Sequence, residues 1–148
     1  MILLLSLLFA CGEEDHEDPA DHACEHVTEA GVAVTAAETL EDAPEIDIAE
    51  EPYTITLVDG AASFVGIHAH EDTEALLFTD TADVIMTLYH DGVEETLPAP
   101  SAVEACADDL PEHFHLDLHA GEWTLELGPA AVESVWVMLL SSEDHEEH

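Results

Sequence analysis

The chain contains no lysine and no arginine. Against that absence stand 36 Asp and Glu residues, so the formal net charge is −36. Protonating all 11 His would cancel less than a third of it. No carboxylate can meet a Lys or Arg of its own chain. Each must be hydrated, accept backbone N–H groups, pair with a histidine or hold a cation. Such a field repels nucleic acid and excludes that partner class; it attracts metal ions and basic proteins. Two accounts of the charge stay open: solubility in a saline setting or an acidic exported proteome, and a specific role with cations. Aromatic residues are also few, at 5%. Trp123 and Trp136 read as core residues rather than as a sugar platform. The apolar run at the start, Ile2 to Phe9, is too short to cross a bilayer, which takes about 20 residues.

Catalytic signatures are missing as well. There is no G-x-S-x-G elbow, no Walker loop and no dinucleotide fingerprint. Ser63, Ser101, Ser134, Ser141 and Ser142 have no nucleophile context. His22 and His26 have the spacing of an H-E-x-x-H helix, but Ala23 stands where that motif needs a general-base Glu. With 36 acids, carboxylate pairs carry no signal for a hydrolase. The expectation is a protein that is not an enzyme.

The stretch Leu8-Phe9-Ala10-Cys11 closes the apolar run with a small residue and a cysteine. Gly12-Glu13-Glu14-Asp15 follows and cannot enter a membrane. This stretch resembles the lipobox of bacterial lipoproteins. The resemblance covers the first dozen residues. It implies cleavage before Cys11, a diacylglycerol on its sulfur, and a lipid-anchored position at the cell envelope, on the outer membrane, the periplasmic side or the surface. An ordinary secretory signal cut at another bond, or a start upstream of Met1, stays open beside it. The chain then divides into a signal peptide over 1–10, an acidic tether over 11–21, one domain over 22–140 and an acidic tail over 141–148. At about 3.3 Å per residue, a ten-residue tether holds the domain some 30 Å from the lipid.

Three cysteines make an odd count for an exported protein. If Cys11 carries the lipid, Cys24 and Cys106 remain, and an oxidising compartment would pair them. That bridge would close a loop of about 80 residues and contribute a few kcal/mol. Cys24 as a metal ligand between His22 and His26 is the competing reading.

Asp18-Pro19 has the form of a helix N-cap followed by Pro at the first helical position. The helix is predicted to run to about Ala30 and stop at Gly31, with His22, His26 and Glu29 on one face. From Val32 the apolar period becomes two. Strands are predicted over 32–37, 53–58, 62–70, 75–79, 84–90, 93–97, 113–119, 123–127 and 134–140, with a short one near 45–48. Asp59-Gly60, Asp91-Gly92 and Ala120-Gly121 mark turns. Residues 98–111 read as an irregular connection. The last strand is apolar on both faces, as a central strand would be. This pattern predicts an all-β fold, an antiparallel β-sandwich of jelly-roll type with a short N-terminal helix. Residues Leu118 to Leu127, with a Leu-x-x-Gly-x-aromatic-x-Leu pattern, resemble the late hairpin of pre-peptidase C-terminal-type domains. That resemblance implies a non-catalytic sandwich accompanying exported proteins. None of that family's calcium positions can be matched here.

The histidines are grouped. His22 and His26 share a helix face, and His68 and His70 share a strand face. His113, His115 and His119 share another, with Asp117. Two more, His145 and His148, lie in the tail. Imidazoles at these spacings, with carboxylates nearby, suit Zn, Cu or Ni. Same-face neighbours on a strand stand about 7 Å apart, so two His of one strand can chelate one ion, and a further strand must complete the set. His68 and His70 are the expected donors to His113, His115 and His119. The bland alternative is that His serves as an ordinary polar residue on an outer sheet face. The leading expectation is a metal-binding envelope protein that scavenges, buffers or delivers a transition metal. The runner-up is a structural or interaction module that meets an envelope protein and has no metal site.

Overall fold

The computed structural model describes residues 18–142. Cys11, His145 and His148 lie outside them, as do most of the tether and tail. Asp18 caps the first helix, α1 (Pro19–His26), by accepting the Ala20 N–H at 2.9 Å. The helix ends four residues earlier than the sequence predicts. The reason is tertiary. The Glu29 carbonyl accepts the Trp136 indole N–H at 2.8 Å, and the Ala30 carbonyl accepts the Thr54 hydroxyl at 2.7 Å. The Glu29 N–H already turns to the His26 carbonyl at 2.9 Å in place of the helical Glu25 carbonyl, as these bonds draw residues 29 and 30 onto the sheet. Gly31 then takes a φ of +62°, and a Cβ there would lie 1.9 Å from the Pro52 carbonyl oxygen. Only glycine lets the chain pass this close.

Among the described residues ten strands follow: β1 (Val32–Thr35), β2 (Glu45–Ile46), β3 (Tyr53–Thr56), β4 (Ser63–Ala69), β5 (Thr73–Thr79), β6 (Ile85–His90), β7 (Val93–Glu95), β8 (Glu112–Leu118), β9 (Gly121–Leu127) and β10 (Ser134–Ser141). They form two five-stranded sheets, ordered β1-β3-β10-β5-β8 and β2-β4-β9-β6-β7. We call them sheets A and B. The fold is all-β, as expected, but the sheets are mixed. β1 runs parallel to β3, and β2 parallel to β4. The chain moves from sheet A to sheet B and back over these strands. Two reversals restore the direction, so next-but-one strands pair in parallel.

The alternation along each strand sorts side chains between a shared core and the outer faces. Ile55, Leu77, Leu116, Val137 and Leu139 of sheet A meet Ile46, Val65, Ile67, Trp123 and Leu125 of sheet B in one buried cluster. β10 is the middle strand of sheet A and is apolar on both faces for a reason. Val135, Val137 and Leu139 enter the shared core. Trp136, Met138 and Leu140 point outward, yet are buried with Phe78 under Ala23, Val103 and Leu110. This cover is α1 and the segment holding a 3-10 turn, Glu104–Cys106. The Cys24–Cys106 disulfide joins the two halves of the cover, with the Cα atoms 5.9 Å apart. Pairing also removes Cys24 as a metal ligand.

One sequence expectation fails in an instructive way. Residues 118–127 are not a hairpin, because β8 belongs to sheet A and β9 to sheet B. Ala120-Gly121 is a crossing between sheets. Alternation looks the same in either case, since both strands face one core.

Candidate metal centre

The outer face of sheet B carries the one group of three metal-ligating side chains that converges among the described residues: Glu45, His68 and Glu122. Three neighbouring strands supply them. The β2–β4 register sets Glu45 beside Gly66, and the β4–β9 register sets His68 opposite Glu122. Gly66 lies beneath the Glu45 side chain. A Cβ built there would sit 3.5 Å from the Glu45 Cγ. The Glu45 side chain therefore lies across the glycine, on the face that His68 occupies. Ile46 and Ile67, one residue on in each strand, are buried, which fixes the outward direction of Glu45 and His68.

His68 Nδ1 contacts Glu122 Oε1 directly. One ligand atom from each of the three residues lies within 4.8 Å of the other two. Donors on a tetrahedral ion with bonds of about 2.0 Å stand about 3.3 Å apart, so small rotations of two glutamates suffice. The set offers one imidazole nitrogen and two carboxylates. That mix suits a borderline divalent ion and leaves one or more positions to water. The His70 ring packs edge-on against His68, with centroids 4.5 Å apart. It limits the orientation of the His68 imidazole. On the same face, the Glu126 carboxylate accepts the Tyr89 hydroxyl at 2.8 Å. That bond, with burial and the charges of Glu126 and Glu94 adding, holds Tyr89 above the usual phenol range.

The other histidines among the described residues do not join this group. His113 and His115 lie on β8 in sheet A, so they cannot share an ion with His68 and His70 across a strand pair. The expected pairing of these two sets is not what the fold provides. His113 stacks on Phe78, with centroids 5.4 Å apart. His115 faces Glu74 at 3.8 Å, across the β5–β8 pair. His119 faces Asp72 at 3.7 Å, beyond the end of β8. Asp72 also accepts the Ala120 N–H at 2.8 Å. This bond and the neighbouring His119 hold its carboxyl below the usual range. His22 and His26 face each other on α1 with centroids 4.6 Å apart, and His26 pairs with Glu29 at 2.9 Å. His90 stacks on Trp123 at 4.2 Å, nearly parallel.

Of the converging residues, the sequence pattern singled out His68. It did not single out Glu45 or Glu122. Nothing in one dimension separates these two glutamates from the other acids. Their role needs the strand order, which is a non-local property. The chain matches no protein-family model and no curated protein sequence.

Proposed function

We propose that the chain is an exported, lipid-anchored envelope protein that binds a divalent transition metal without catalysing a reaction. The ion is Zn, Cu or Ni, and the role is scavenging, buffering or delivery. The observation that carries this reading is the convergence of Glu45, His68 and Glu122 from three adjacent strands. A chain of net charge −36 concentrates cations around it, and this cluster is where an imidazole joins the carboxylates to select among them. The two sheets with their common core are read as a jelly-roll-like β-sandwich. It serves as a rigid support, which suits binding sites better than loops do.

Calorimetry on untagged protein, with elemental analysis of the material as purified, tests the proposal. The expected result is one metal ion per chain with a Kd below about 10 μM, lost on His68→Ala and weakened at least about tenfold by Glu45→Gln. Substituting both His113 and His115 should leave that site intact. Binding only at millimolar metal, or binding indifferent to His68→Ala, would overturn it.

A further inference from the structure

Sheet B ends in an unfinished edge. β7 pairs with Leu88 to His90 of β6 and stops, so Ile85 to Thr87 have no strand on that side among the described residues. A bulge falls at the same place, between Ile85 and Thr87 of β6. It turns Met86 out to 52% exposure. Together with residues 94–97 it opens a recess of about 370 Å³, lined by Met86, Thr87, Glu94, Glu95, Thr96 and Leu97. The lining is of two kinds. Met86 and Leu97 offer an apolar wall, and Glu94 and Glu95 offer charge.

An apolar wall ending in carboxylates fits a side chain with a long aliphatic stem and a cationic head. Met is adaptable enough to follow such a stem, and the threonine hydroxyls can accept further N–H groups. Lys and Arg are the side chains of this form, and the chain has neither. Residues 1–17 and 143–148 therefore cannot supply the occupant. A second copy carries no Lys or Arg either, and its charge of −36 opposes approach. An anionic membrane and nucleic acid are repelled likewise. We propose that this recess and edge receive an extended, Lys- or Arg-bearing segment of another protein. Its backbone would continue β7 along the unpaired part of β6, and one cationic side chain would enter the recess.

This proposal does not rest on the metal cluster, which uses β2, β4 and β9. The test is fluorescence anisotropy on the full chain with a labelled eight-residue peptide (about 25 Å when extended) of alternating Arg and Thr, at physiological salt. The double variant Glu94→Gln/Glu95→Gln should weaken binding at least about tenfold, and Met86→Ala about threefold. A charge-matched control, Glu104→Gln/Asp108→Asn on the cover of sheet A, should change it less than about twofold. His68→Ala should leave peptide binding intact, which separates this result from the metal reading. Equal losses in both double variants would reduce the effect to diffuse charge attraction and overturn the proposal. Spermine competing as well as the peptide at equal charge would overturn it too.

Discussion

Replacing both Cys24 and Cys106 by serine tests how the fold holds its cover in place. The bridge spans 82 residues of sequence. In the chain-entropy model a loop of that length costs the unfolded chain about 4.5 kcal/mol of freedom. Domains of this size have about 5–15 kcal/mol in total, so the loss is large. With a urea slope of about 2 kcal/mol per molar, the midpoint should fall by about 2 M. A second readout asks where the loss is felt. α1 has eight residues, too few to be helical alone. Without the bridge it keeps its cap, its packing on Trp136 and the Trp136–Glu29 hydrogen bond. Trp136 is 6% exposed beneath it. In a Trp123→Phe background, acrylamide quenching then reports on Trp136 alone. The double serine variant should show a lower midpoint and greater quenching before unfolding begins. A midpoint within about 0.3 M of the parent, with unchanged quenching, would refute the reasoning, because that shift is worth only about 0.6 kcal/mol.

Glu112 gives a pH prediction. Its carboxyl is buried on the core-facing side of β8 and accepts the Asp83 N–H at 3.1 Å. Burial penalises the anion and pushes its pKa up, the Asp83 bond opposing and the Asp83 charge adding. The folded state therefore holds this proton more tightly than the unfolded chain. Its contribution to stability is full below the unfolded value, about 4.3, and is lost as pH rises through the folded value. Glu112→Gln keeps the acceptor and removes the charge. It should stabilise the protein near pH 7 and lose that advantage near pH 4; a difference that is flat across urea titrations from pH 4 to 8 would reject this account. Ionic strength gives another. With a net charge of −36 and no Lys or Arg, self-repulsion should lower Tm at 10 mM salt, where the screening length is about 30 Å, relative to 150 mM, where it is about 8 Å. Each kcal/mol of repulsion screened is worth about 4 °C in a domain of this size, and calorimetric scans that coincide at the two concentrations would disprove it.

The local signals in the sequence are strong. Asp18-Pro19 marked the start of α1, the period-two runs marked the strands, and the doubly apolar 134–140 marked a central strand. The edges of elements depended on distant partners. Trp136 and Thr54 take the carbonyls of residues 29 and 30, and nothing near Glu29 in sequence announces them. Sheet membership was the larger gap. Phe114, Leu116 and Leu118 had to face a core, as did Trp123, Leu125 and Leu127. Whether those strands pair with each other or face each other across the core leaves no mark on the pattern. The candidate metal centre inherits that gap, since it is assembled by the β2-β4-β9 order.

That strand order has a consequence in time as well as in space. The two last strands among the described residues, β9 and β10, are the middle strands of sheets B and A. Until they arrive, β3 and β5 have no common neighbour, and neither have β4 and β6. Before β9 and β10 are made, only separate strand pairs can close: β1–β3, β2–β4, β5–β8 and β6–β7. Long-range pairing of this kind folds slowly. The two sheets can thus be joined up only after β10 has been made. Until then the like charges of a −36 chain keep the unpaired strand edges apart.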